Sequence, residues 1–132
     1  MESSKLLDAH VQVKRMYNLL TEVLDLSRQL LQAVDRNDEV TVRMLLAMRG
    51  EPVHKLQLAR QALEQQKRDL GEADGLRLAQ LLNGEPPRSE EEKPLAQQAA
   101  ANSRLLAQVL ELDQRLNLKL TRGKSFYQDA PG

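Results

Sequence analysis

Apolar positions recur four and three residues apart through the first third of the chain. Leu6, His10, Val13, Tyr17, Leu20, Leu24, Ser27, Leu31 and Val34 form one heptad seam. A second register, Met16, Leu19, Val23, Leu26, Leu30 and Ala33, runs beside it from the middle onward. Two adjacent seams make an apolar face wide enough to meet two other helices. The pattern predicts a helix from about Ser4 to Arg36, roughly 50 Å long at about 1.5 Å per residue.

Arg36-Asn37-Asp38 reads as a short turn, with Asp38 the N-cap of the next helix and Glu39 in its first turn. Val42, Leu45 and Leu46 then point inward, with Met48 near the end of that short helix. Gly50 and Pro52 predict a stop or kink, because proline lacks the amide donor and clashes one turn back. A further helix is expected from Pro52 to about Leu70, with Val53, Leu56, Ala59, Leu63 and Leu70 on one face. Gly71 ends it. Asp74 to Leu82 is a short amphipathic piece carrying Leu76, Leu78, Leu81 and Leu82. Asn83 to Pro94, with three prolines and a charge run, is the clearest break in the chain.

The last helix is expected from about Leu95 to Arg122. Leu95, Ala99, Asn102, Leu106, Val109, Asp113, Leu116 and Leu120 give it a seam, widened by Leu105, Leu110, Leu112 and Leu118. Asn102 and Asp113 are polar residues in seam positions, where they usually fix register or oligomeric state at some cost in stability. The fold class is therefore all-α: an elongated antiparallel bundle of about three long helices, the middle one kinked or split at Gly50-Pro52. Residues 1–122 make the helical domain and 123–132 a flexible C-terminal tail. Phe126 and Tyr127, two of the chain's three aromatic residues, lie in that tail. They either fold back over a helix end or form a docking element that orders on a partner.

Composition agrees with the helical pattern. Leucine, alanine, glutamine, arginine and glutamate dominate, and β-branched residues are few. The 132-residue length suits one domain. Having no cysteine, the chain has no disulfide framework, thiolate metal site or thiol nucleophile, which fits a reducing cytoplasm. The start of the chain leads straight into amphipathic sequence, so neither a signal peptide nor a membrane span is expected. Nineteen basic residues balance nineteen acidic ones. That balance, without a basic stripe, argues against a sequence-independent nucleic-acid binder.

Candidate chemistry is sparse. His10 falls in a core register, and His54, three residues from Glu51, lies on an exposed first turn; neither has the about three or four converging ligands a metal needs. Glu90-Glu91-Glu92 reads as a solvated linker. Gly71 and Gly75 are isolated, so no phosphate-cradling loop is present. Serines 3, 4, 27, 89, 103 and 125 have no base at a telling spacing. The reading is no enzyme, no cofactor and no metal. With 26 leucines the core is leucine against leucine, which specifies geometry weakly and adapts to partner helices. Helix-in-groove binding follows, and a self-associating coiled coil, a homodimer for instance, fits the periodicity equally.

Taken in order, these elements resemble the FlgN family of flagellar type III export chaperones. The likeness rests on the long first helix followed by Arg36-Asn37-Asp38 and the short helix Val40–Met48. It rests too on the leucine-and-glutamine helix Leu56–Leu70 with its Ala62-Leu63-Glu64-Gln65-Gln66-Lys67 stretch. Most specific are Asn102-Ser103-Arg104-Leu105-Leu106 and the closing Tyr127-Gln128-Asp129-Ala130-Pro131-Gly132. The chain departs from the family by placing Gln-Asp-Ala-Pro between the tyrosine and the final glycine. The resemblance implies a small cytoplasmic chaperone without ATPase activity. Such a protein binds C-terminal helical segments of hook–filament junction proteins, keeps them unassembled and delivers them to the export apparatus. Client contact then belongs to Leu105, Leu106, Val109, Leu112, Leu116 and Leu120, with Phe126 and Tyr127 docking on a client or export component. A cap-protein chaperone of the FliT type and an injectisome chaperone are the neighbouring possibilities.

Overall fold

The computed structural model describes residues 1–129, with side chains as far as Thr121. It contains four helices and, among the described residues, no strand: α1 (Ser3–Asp35), α2 (Glu39–Asp69), α3 (Glu72–Leu82) and α4 (Lys93–Asp129). Local chemistry sets the first reversal. Asn37 takes a left-handed conformation, φ 58°, which asparagine tolerates better than most residues. Asp38 then caps α2: the Thr41 amide donates to Oδ1 (3.1 Å) and the Thr41 hydroxyl to Oδ2 (2.6 Å). Those hydrogen bonds hold the Asp38 carboxyl below its usual range.

Of the kink or split expected at Gly50-Pro52, the split is absent. α2 is one uninterrupted helix from Glu39 to Asp69 with Pro52 inside it. Leu45, Pro52 and Ala59, seven residues apart, are all buried, so the proline ring is part of the packing seam. An internal proline costs about 3 kcal/mol. Burying one continuous face along α1 outweighs that cost.

The core divides into three layers that fix the helix directions. Leu6, Ala9 and Val13 cluster with Leu63, Leu78, Leu81 and Leu95. Leu20, Val23 and Leu24 meet Leu105 and Val109, with Val53 and Leu56 against them. Leu26, Leu30 and Ala33 meet Leu45 and Leu116. Rising numbers on α1 thus match falling numbers on α2 and rising numbers on α4. α2 is antiparallel to α1, and α4 is parallel to it.

Both flanking helices pack on α1, as its two seams require, but no α2 Cα lies within 8 Å of an α4 Cα among the described residues. α2 and α4 therefore meet through side chains alone, and where those do not meet a groove is left with α1 as its floor. The expected end of the last helix near Arg122 also differs. α4 continues to Asp129, since one glycine at position 123 costs only about 1 kcal/mol in a helix. The backbone of residues 123–129 is thus helical. The Phe126 and Tyr127 side chains and residues 130–132, on which the tail reading rests, lie outside the described residues.

Candidate helix-docking cleft

α3 occupies one end of the groove. Gly71 adopts φ 86°, a left-handed turn that suits glycine, and starts α3 back along α2. Gly75 then approaches so closely that an added Cβ would stand 2.6 Å from the Lys67 carbonyl oxygen. Asp74 faces the Met1 amino group at 3.7 Å, while Leu82, at the other end of α3, meets the level of Leu63 and Met16. α3 consequently runs up the groove from the end where α1 begins. Leu78 and Leu81 are completely buried among α1, α2 and α4.

The loop after α3 is tied down by one arginine. Arg77 Nε donates to Glu92 Oε2 (3.1 Å), Nη2 donates to Oε1 (2.6 Å), and Nη2 also donates to the Pro86 carbonyl (3.0 Å). The Arg88 amide adds a hydrogen bond to Glu92 Oε1 (2.8 Å). Principally through the Arg77 bonds, the Glu92 carboxyl is lowered to about 2. The acidic run is therefore not uniformly solvated: Glu92 is buried, while Glu90 and Glu91 are exposed.

Further along the groove a polar bar crosses it. Arg49 of α2 donates through Nε to Ser27 Oγ on the floor (3.1 Å) and through Nη2 to Asp113 of α4. Ser27 is fully buried. Nearer α3, the other polar seam residue, Asn102, donates from Nδ2 to the Val13 carbonyl (2.8 Å) and accepts from Gln98 at Oδ1 (3.0 Å). Each pin joins α4 to another helix at a defined register.

From the end of α3 to the level of Leu20 and Leu106 the groove is open. Val13, Met16 and Leu20 make its floor, and Leu63 and Leu82 form one side. Ala99, Asn102, Ser103 and Leu106 complete a cleft of about 240 Å³. None of these residues is charged. Its volume is below the roughly 300–1,000 Å³ typical of small-molecule sites, which suits a few apolar side chains presented by another helix.

The residues expected to bind a partner divide accordingly. Leu105, Val109 and Leu116 are buried against α1, and Leu112 and Leu120 are half-buried. Among these positions Leu106, 43% exposed, is the one that reaches the cleft. The sequence reading missed Met16, Leu20, Leu63, Leu82, Ala99 and Ser103 as cleft residues. The available signal was that the two α1 registers run side by side from Met16 onward, since neighbouring residues of adjacent seams lie beneath the junction of two helices. His54 is exposed, and half-buried His10 lines a shallow hollow with Leu7, Glu91 and Pro94.

Among the described residues no group of three histidines or carboxylates is placed to hold a metal ion, and no helix is long and apolar enough to cross a membrane. No family model, curated protein or solved structure matches the chain.

Proposed function

We propose that this protein is a helix-binding chaperone of flagellar export, acting in the cytoplasm. Its clients would be C-terminal helical segments of hook–filament junction proteins, kept unassembled until the export apparatus receives them. The observation that carries the reading is the uncharged apolar cleft left open between α2 and α4. Amphipathic client segments associate with one another unless their apolar faces are covered, and a groove floored by methionine and leucine can cover such a face. The order of elements and the Asn102–Leu106 stretch supply the family resemblance that names the clients. Leu106 offers a client contact directly. Leu112 and Leu120 offer partial ones, and Phe126 and Tyr127 remain assigned to a client or export component.

Calorimetric titration with junction-protein C-terminal segments from the same genome tests this, with cap-protein and unrelated amphipathic helices as controls. Saturable binding to junction segments alone, with a negative heat-capacity change, is the expected result. Binding only to the cap segment moves the protein to the FliT-like branch. A second reading, self-association, is favoured by one feature: Val40, Met44 and Met48 form an exposed stripe on the outer side of α2. No client binding together with a concentration-dependent dimer would make that the better account.

A further inference from the structure

We infer that the open cleft is the continuation of the seat already taken by α3, and that it accepts about two turns of a partner helix carrying paired leucine-type anchors. The inference rests on the helix-binding reading and adds where the helix sits and what it must present. α3 shows what this groove accommodates. Its Leu78 and Leu81, three residues apart, are completely buried between the same three helices that bound the cleft. Leu82, which ends α3, is itself a wall of the cleft. The two sites therefore form one continuous interface, with the nearer part filled intramolecularly.

The geometry limits the occupant. The cleft extends from Val13 to Leu20 on α1 and from Ala99 to Leu106 on α4. Each spans eight residues, seven steps of about 1.5 Å or about 10 Å, close to two helical turns. α3 closes one end and the Arg49–Asp113 bar lies beyond the other. Two turns present one pair of side chains three or four residues apart on a single face. With no charge on the lining, those side chains must be apolar. The rim hydroxyl of Ser103 and the amide of Asn102 leave room for a polar flank. The partner is thus an amphipathic helix with leucine, isoleucine or methionine at i and i+3 or i+4, docking in line with the end of α3.

The four methionines allow a direct test on the full chain. Met16 is in the cleft, whereas Met44 and Met48, 53% and 51% exposed, are on the outer side of α2. The probe is a synthetic alanine–lysine–glutamate helical peptide with leucines at i, i+3 and i+7, titrated into protein labelled with carbon-13 at the methionine methyls. We expect a saturable shift of the Met16 methyl with Met44 and Met48 unmoved. A peptide with the same leucines two apart should produce no shift. Leu106→Glu should weaken binding at least tenfold, and Leu118→Glu, exposed and outside the cleft, should leave it unchanged.

Shifts confined to Met44 and Met48, no shift at all, or full binding by Leu106→Glu would each overturn the inference. A Met16 shift that grows with protein concentration in the absence of peptide would assign the cleft to a second copy and overturn it as well. Peptide binding at Met16 without binding of junction-protein segments would support the cleft and remove the flagellar client.

Discussion

Glu92→Gln is an informative perturbation because glutamine mimics the protonated acid. In the native protein the carboxylate accepts two hydrogen bonds from Arg77 and one from the Arg88 amide. Its carboxyl is lowered from an ordinary 4.5 to about 2, chiefly by Arg77. At about 1.4 kcal/mol per pH unit, that difference corresponds to about 3 kcal/mol. The Arg77 and Glu92 side chains are each 11% exposed, so solvent screens part of the interaction and about 2 kcal/mol is the expected loss. Because the folded carboxyl is depressed, the stabilisation is complete above about pH 4.5 and is lost as pH falls toward 2.

Urea unfolding of wild type and variant from pH 7 to pH 2.5 should therefore show a gap of about 2 kcal/mol. The gap should be constant down to about pH 5 and should close progressively below it. The remaining carboxylates titrate in both proteins and largely cancel from the difference. A gap that persists unchanged to pH 2.5, or is absent at pH 7, would refute the assignment of Glu92 as the anchor of the α3–α4 loop.

Gly50 and Gly75, each inside a helix, should respond in opposite directions. Gly50→Ala meets nothing within 4 Å and should add about 0.5–1 kcal/mol through helix propensity. Gly75→Ala drives a Cβ into the Lys67 carbonyl and should cost about 1–3 kcal/mol; urea midpoints of the two variants decide. Arg49→Met leaves Asp113 without its guanidinium and should cost about 1–2 kcal/mol. Arg49→Met with Asp113→Leu should return to within about 1 kcal/mol of wild type in the same assay. Asn102→Leu should change stability by less than about 1 kcal/mol, yet broaden the Met16 methyl resonance by releasing α4 from the Val13 carbonyl. A sharp, unmoved Met16 line would show that Asn102 does not set the register.

The long elements were legible because α1 and α4 repeat apolar residues over many turns, and periodicity integrates over length. The Asp38 cap was legible because its partner is three residues away. Of the kink or split expected at Gly50-Pro52, the split failed for a reason local rules do not contain. Leu45, Pro52 and Ala59 share a heptad seam, so a residue that disfavours a helix locally is held within one by its packing. Glu92 was missed similarly: its partner Arg77 is fifteen residues earlier, across a loop whose path the sequence does not reveal. Of the residues proposed for partner contact, the pattern showed which were apolar but not which were already covered. Leu105 and Leu106 are adjacent in sequence, yet one is buried against α1 and the other reaches the cleft.

A leucine core of this kind raises the question of what stops the helices sliding. Apolar contacts between leucines are non-directional and change little when one helix shifts along another. The hydrogen bonds at Asn102 and across Ser27–Arg49–Asp113 do not have that tolerance. A shift of one helical turn, about 5.4 Å along the axis, takes each donor out of range of its acceptor. These pins lie on either side of the cleft's outer end. The register of α4 against α1 and α2, and with it the outline of the cleft, is then fixed. Sliding of α4 would carry Asp113 away from the Arg49 guanidinium and Asn102 away from the Val13 carbonyl. Directional polar bonds in seam positions thus fix the register around the cleft, and non-directional leucines would supply the affinity for an apolar helix that we propose.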